Sequence, residues 1–170
     1  MKKKLLKGIF ALMLVVFGAA NASAVEIKKY EQQYSVGPAG CEDEEEEINE
    51  KAIKEFRKMF SFATRENWYK VSDGYIVKFL HEGIQYRAGY DSKGRWINTV
   101  KSYDPNKLSP EVRYRVKAAY FDFAIVFVEE IILPYDMGYV VHLENDAAIK
   151  KVVVTDMESD IRVMESYSKK

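Results

Sequence analysis

The feature of this chain that most limits its possible folds is a strand-rich run, 75–103, that recurs in the second half. Turn residues divide the run into short alternating segments, a pattern typical of consecutive β-strands joined by tight hairpins. The offset in sequence number between matched residues increases by one along the chain, as expected when one hairpin loop differs in length by one residue. The matched segments are Gly74-Tyr75-Ile76-Val77 with Gly138-Tyr139-Val140-Val141, Tyr90-Asp91 with Thr155-Asp156, and Trp96 with Ile161. The sequence therefore predicts an internal repeat built from strands.

A helical pattern precedes each set of strands. From Glu47 to Phe60, apolar residues recur at three- and four-residue spacing while charged residues fill the other positions, as in an amphipathic helix. Ser109-Pro110-Glu111 is typical of a helix start, since it offers a side-chain cap, a proline whose missing N–H is not needed there, and an acid in the first turn. We expect one helix over 47–60 and a second that opens at Ser109.

These elements predict an α+β fold. Eight strands are expected, at 68–71, 75–81, 84–90, 95–103, 123–133, 139–144, 148–155 and 160–167. One set alone would leave a strand edge and half of the core uncovered, so the two sets are expected to join. The prediction is a tandem α-β4 repeat, with first copy 47–103 and second copy 104–170, forming one eight-stranded antiparallel sheet with helices on one face.

The N-terminus has the pattern of a secretory signal peptide over residues 1–24. Lysines precede an apolar run from Ile9 to Ala20, and small residues follow at Ala22-Ser23-Ala24. The run is too short for a membrane span, which needs roughly 20 apolar residues. We expect cleavage between Ala24 and Val25, giving a periplasmic or secreted protein without a transmembrane span. An uncleaved N-terminal anchor is the alternative.

Residues 25–46 have the composition of a flexible acidic leader. Consecutive acids run from Glu42 to Glu47, and like charges in a row repel one another. All 26 acidic residues lie beyond Ala24, whereas some of the 26 basic residues belong to the signal peptide, so the mature chain is mildly acidic. Without a block of Lys and Arg, this chain is a poor candidate for nucleic-acid binding, in which phosphate neutralisation dominates affinity.

The single cysteine, Cys41, rules out an intrachain disulfide in what we expect to be an oxidising compartment. Its surroundings, Gly37-Pro38-Ala39-Gly40-Cys41, faintly resemble a lipoprotein processing site, although the residues before them are polar. An exposed thiol in the leader is the alternative to lipidation.

The sequence offers few groups for catalysis or metal binding. His81 and His142 are its two histidines, and neither has a partner at the spacing of a zinc or iron site. No Gly-rich phosphate loop, nucleophile elbow or HExxH motif occurs. Glu129 and Glu130 are adjacent in a predicted strand and so point to opposite faces, which does not suit shared acid–base work. We predict no enzymatic activity, no catalytic residue, no metal and no cofactor.

A set of polar, mostly basic residues is expected on the face of the sheet away from the helices. On the second, third and fourth strands these residues take the parity opposite to the apolar positions Tyr75, Val77 and Phe79. The set comprises Lys78, Gln85, Arg87, Arg95, Thr99 and Lys101. We interpret it as a partner-binding stripe facing an acidic partner, with the chain's own acidic leader as one candidate. A solvated sheet face is the alternative.

The aromatic residues allow two interpretations. The plainer one places four of them in a core between sheet and helices: Trp68, Tyr75, Phe79 and Trp96. The other is a sugar-binding platform, to which Tyr86 or Tyr90 would belong if exposed.

The order of elements and several motifs resemble the PepSY-like, β-lactamase-inhibitor-like (BLIP-like) proteins that Gram-negative bacteria secrete. The most specific motifs are Trp68…Asp73-Gly74-Tyr75 and Asp91-Ser92-Lys93-Gly94-Arg95-Trp96, and the resemblance covers roughly residues 47–167. The second half departs from them, with Ile161 in place of Trp96. The resemblance implies an open, curved sheet face and a protein that binds or restrains another protein, such as a secreted hydrolase or peptidase. A small-molecule or glycan-binding envelope protein is the alternative.

Overall fold

The computed structural model describes residues 48–155 and 161–170. The predicted signal peptide with its Ala24–Val25 cleavage site, the acidic leader and Cys41 lie outside these residues. So does Asp160, where the last strand was predicted to begin. Within the described ranges, no helix combines the length and the apolar character needed to cross a membrane.

The described chain runs in the order helix, four strands, helix, four strands. The strands pair antiparallel, each with the next in sequence, to form one open eight-stranded sheet. The elements are α1 (Glu50–Met59), β1 (Thr64–Val71), β2 (Gly74–His81), β3 (Ile84–Asp91), β4 (Trp96–Tyr103), α2 (Pro110–Ala119), β5 (Ala124–Ile132), β6 (Met137–Glu144), β7 (Ala148–Thr155) and β8 (Arg162–Ser168). The eight-stranded antiparallel sheet with two helices is confirmed. That the two halves are copies of one unit stays a prediction.

The helix starts follow from their capping side chains. The side-chain oxygen of Asn49 accepts a hydrogen bond from the N–H of Lys51 (2.9 Å), so α1 begins after Asn49 rather than at the predicted Glu47. Ser109 caps α2 in the same way, accepting from the N–H of Val112 at 3.3 Å. The predicted start of the second helix is therefore confirmed.

Both helices pack on the same face of the sheet, which we call the helix face. α1 buries Ala52 and Phe56 there, and α2 buries Val112 and Val116. The sheet residues in these two clusters share one side of the strands: Val77, Phe79, Ala88, Tyr90, Val128, Val141, Leu143, Val152 and Val154. Each helix thus covers the sheet of its own half, because its apolar stripe must be buried against an apolar surface.

All four aromatic residues predicted for the core lie in or against the α1 cluster: Trp68, Tyr75, Phe79 and Trp96. The rings of Phe56 and Phe79 have centroids 5.1 Å apart at an interplanar angle of 77°, the edge-to-face arrangement that aromatic pairs favour. Tyr90, considered for a sugar platform, is fully buried in the same cluster. Burial, and to a smaller degree the charge of Glu55, raises the pKa of its hydroxyl. Tyr90 therefore belongs to the core.

The opposite face, which we call the open face, carries neither described helix. One end of it nevertheless carries a cluster of buried apolar residues, each at most 7% exposed: Val100, Ile131, Leu133, Val140 and Val153. At the other end, where both the β2–β3 turn and the β6–β7 turn lie, apolar side chains of β5, β7 and β8 are exposed: Phe127 (38%), Ile149 (39%) and Tyr167 (59%). The accessible part of the open face is therefore the end beside the β2–β3 turn.

Candidate partner-binding face

A cleft of about 450 Å³ lies on the open face of β1 to β4, at the end beside the β2–β3 turn. Its lining includes three of the six residues predicted to bind a partner: Lys78, Gln85 and Arg87. Other polar residues of the lining are Arg65, Asn67, Tyr69 and Ser102. Lys78 lies directly opposite Arg87 on β3 and Asn67 on β1, so the register of the strands brings these residues together.

Thr99 and Lys101 lie on the helix face, not on the open face as predicted. The pairing of β4 with β3 shifts by one residue between Trp96 and Asn98, which makes a β-bulge. One extra residue reverses the side to which every later side chain of the strand points. Thr99 is accordingly 2% exposed, and its hydroxyl accepts a hydrogen bond from Nε1 of Trp96 at 3.0 Å.

Lys101 is neutralised by a carboxylate of the same face. Its Nζ lies 2.6 Å from Oε1 of Glu130, and the hydroxyl of Tyr103 donates to Oε2 at 3.0 Å. Burial, followed by the charge of Glu130, raises the pKa of Tyr103 well above its usual value. Glu130 and Glu129 point to opposite faces, as predicted. The contacts that join Lys101, Glu130 and Tyr103 stabilise the helix face and do not reach the cleft.

Arg95 belongs to the β3–β4 turn rather than to the cleft. Its guanidinium lies 2.6 Å from Oδ2 of Asp91, whose Oδ1 accepts hydrogen bonds from the backbone N–H groups of Lys93 and Arg95. Slight burial of Asp91 raises its pKa, but these hydrogen bonds and the charge of Arg95 outweigh that effect and hold the pKa below its usual value. Asp91 therefore fixes the turn through Asx-type hydrogen bonds, and the side chain of Arg95 is held there as its ion-pair partner.

A row of charged side chains on β5 to β8 also crosses the open face, and sequence reasoning missed it. Oε2 of Glu129 lies 3.3 Å from Nε2 of His142. On the next strand Lys151 lies opposite His142, and its Nζ is 3.6 Å from Oε2 of Glu165. Burial alone would raise the pKa of Glu129, but the hydrogen bond and charge of His142, with the charges of Arg87 and Lys151, lower it below its usual value. These residues are far apart in sequence, so only the strand register reveals the row.

Replacing His142 with leucine is expected to raise the pKa of Glu129. At present that pKa lies below its unfolded value of about 4.3, so the Glu129 carboxylate stabilises the fold above that pH and the stabilisation is lost as pH falls through the folded pKa. Without His142 the loss should begin at a higher pH. A carboxyl NMR titration of Glu129 and the midpoint of acid unfolding measure both effects.

The matched control is His81→Leu. Nε2 of His81 lies 4.0 Å from a carboxylate of Glu82, which is 79% exposed. The groups that lower the pKa of Glu129 are instead His142, Arg87 and Lys151, so this change should leave the pKa of Glu129 as it is. An unchanged pKa of Glu129 in His142→Leu would contradict the assigned contact.

The two histidines sit beside aromatic rings. The ring centroid of His81 lies 4.1 Å from that of Phe62, and the centroid of His142 lies 5.4 Å from that of Phe127. Among the described residues, no group of three or more His, Cys, Asp or Glu side chains could hold a metal ion. On the open face, the contact between Phe127 and His142 places apolar surface beside the row of polar side chains.

Comparison with known proteins gives the fold a context. No family model and no curated protein matches the chain. A solved BLIP-like protein from Bacteroides fragilis resembles it with a TM-score of 0.61 and 15% identity, over 72% of this chain and 87% of that one. The fold is BLIP-like. A solved DUF2874 family protein from Bacteroides ovatus is also similar to this chain, with a TM-score of 0.61 and 16% identity over 72% of this chain and 89% of that one.

A third similar structure, described as a candidate periplasmic protein, comes from Bacteroides eggerthii, with a TM-score of 0.59 and 12% identity over 72% of this chain and 90% of that one. At such identities the likeness concerns the fold alone. It bears out the β-lactamase-inhibitor-like part of the resemblance seen in the sequence, while the PepSY part stays a prediction.

Proposed function

We propose that this is a non-enzymatic periplasmic protein that binds another protein, such as a secreted hydrolase or peptidase, through the open face of its sheet. The predicted signal peptide would export it. Residues 47–103 and 104–170 would be two copies of one α-β4 unit, joined through β4 and β5. The BLIP-like fold and a similar structure described as a periplasmic candidate support this proposal.

The observation that carries the proposal is the accessible end of the open face. Phe127, Ile149 and Tyr167 are exposed there beside the charged row, on a face that carries neither described helix. Exposed apolar surface rimmed by polar residues is typical of sites where another protein binds. Aromatic side chains such as Phe127 are also common among the residues that dominate binding energy.

A second candidate function is binding of a small molecule or glycan. The volume of the cleft lies within the range of about 300–1,000 Å³ that is usual for ligand sites. Tyr69 and Tyr86 are among its lining residues, but Tyr86 stacks on Phe79 at 5.0 Å between centroids, which leaves Tyr69 as the better platform. Thermal-shift screening separates the candidates: stabilisation by a glycan and by no peptide would favour this one.

A photo-crosslinking amino acid at position 127 tests the protein-binding proposal. In the periplasm of the source organism it is expected to capture one protein, identified by mass spectrometry. The matched control is the same amino acid in place of Tyr114, which is 75% exposed on α2 and therefore lies on the other side of the molecule. Position 114 is expected to capture nothing specific.

The captured protein should then be purified and its Kd measured directly. Phe127→Asp is expected to weaken binding at least tenfold, because a carboxylate would be buried in an apolar contact. Equal capture at both positions, or a Kd that Phe127→Asp leaves unchanged, would contradict the proposal.

A further inference from the structure

We infer that the cleft on β1 to β4 binds an acidic peptide segment of the partner through Arg65, Lys78 and Arg87. This inference rests on the proposed function, because it names the chemistry of the partner for the same face. It concerns the β1–β4 side, whereas Phe127, Ile149 and Tyr167 lie on β5 to β8.

The cleft is positively charged. Its lining contains three cationic residues and no carboxylate. Among the described residues, neither Arg65 nor Lys78 forms an ion pair, and the ammonium of Lys78 lies 5.0 Å from the ring centroid of Tyr69. Arg87 is different, since it lies near enough to Glu129 to act on that carboxyl. Two cations of the cleft are therefore available to an incoming anion.

The register places like charges together. Lys78 on β2 lies directly opposite Arg87 on β3. Like charges in this position repel each other, and Glu129 offsets only the charge of Arg87. A carboxylate bound between them would remove the repulsion and gain charge-assisted hydrogen bonds.

The third cation comes from a strained part of β1. Arg65 has φ = +54°, in the left-handed region that residues other than glycine rarely adopt. It lies in a bulge where the pairing of β1 with β2 shifts between Thr64 and Asn67. Bulges redirect side chains and are common beside functional sites. Here the bulge puts Arg65 among the lining residues of the cleft.

The size and polarity of the cleft fit a peptide rather than a single ion. A volume of about 450 Å³ holds several residues, and Gln85, Asn67 and Ser102 add donors and acceptors for a peptide backbone. An arginine fork also suits carboxylates, which it can bind through two parallel hydrogen bonds.

A segment of the partner fits better than the chain's own acids at 42–47. The described chain starts beside α1, where the side chain of Asn49 donates to the backbone oxygen of Ser92 in the β3–β4 turn (3.2 Å). That turn lies at the opposite end of the sheet from the cleft, and α1 lies on the opposite face. The first described residue, Ile48, therefore lies at the other end of the sheet from Lys78 and beside the helix on the other face.

Fluorescence anisotropy with a labelled peptide of alternating glutamate and glycine tests the inference on the exported protein. Binding is expected to weaken as salt rises, and at least tenfold in the double variant Arg65→Gln/Lys78→Gln. The matched control is Lys58→Gln, an exposed cation of α1 that should leave affinity unchanged. Circular dichroism melting of each variant confirms that it is folded.

Four results would overturn the inference. They are equal affinity for a peptide with glutamine in place of glutamate, unchanged affinity in the folded double variant, displacement of the peptide by equimolar phosphate, and binding that appears only when residues 42–47 are changed to glutamine. The last would make the chain's own acids the occupant. If position 127 still captures a partner, the proposed function stands and this inference alone fails.

Discussion

Replacing Gly74 with alanine is expected to destabilise the protein by about 3–5 kcal/mol, a large share of the stability of a typical domain. Gly74 opens β2 with φ = +155°, and a Cβ placed there would lie 2.0 Å from the backbone oxygen of Tyr90 on β3. A paired backbone cannot swing aside as a flexible side chain can, so β2 and β3 would have to separate locally. Urea unfolding measures the loss.

Gly83 provides the matched control. It also has a positive φ, +74°, but a Cβ there would meet no atom within 4 Å. Gly83→Ala should therefore cost only the strain of the left-handed conformation, about 1–2 kcal/mol. If the two alanine variants unfold at the same urea concentration, the close approach of Gly74 to β3 is wrong.

Truncating Phe56 to alanine is expected to cost a similar amount, about 3–5 kcal/mol. Its side chain is 1% exposed, and its ring lies within 5.5 Å, centroid to centroid, of the rings of Phe60, Trp68 and Phe79. Trp68 and Phe79 belong to paired strands, which hold their backbones in place, so they can fill only part of the cavity. The free energy of unfolding from urea titration gives the size of the effect.

The control for Phe56 is Phe121→Ala, at an exposed residue just after α2. Phe121 is 81% exposed, so its truncation should change stability by no more than about 0.5 kcal/mol. Equal losses of stability in the two variants would contradict the conclusion that Phe56 is tightly packed between α1 and the sheet.

The packing of α1 also bears on the cleft. β2 carries Phe79 on the helix face and Lys78 on the open face, so losing the packing of α1 should also loosen the cleft.

Elements with strong local signals could be predicted from the sequence. The cap at Ser109 fixed the start of α2, and turn residues such as Gly83 marked the hairpins. The run 123–133 is apolar without strict alternation, which is typical of a strand with both faces covered, and β5 lies between β4 and β6. Its residues Val128 and Ile131 are buried on opposite faces, which explains why both are apolar.

The candidate site could be predicted only in part. The β2–β3 pairing, which holds Lys78, Gln85 and Arg87, is regular along its whole length, so counting alternate residues placed them together correctly. The same counting failed for Thr99 and Lys101, because the bulge in β4 reverses the count. Arg65 was missed because its strand begins earlier than its polar sequence suggested.

By itself, the sequence determined which segments become helices and strands, where they turn, and that two sets of strands with one helix each must bury apolar surface together. These properties depend on residues close to one another along the chain. Tertiary structure alone decided that Glu129 meets His142 on the open face and that Arg65 lies at the cleft. The physical reason is register, since a shift of one residue in strand pairing exchanges the two faces of a sheet.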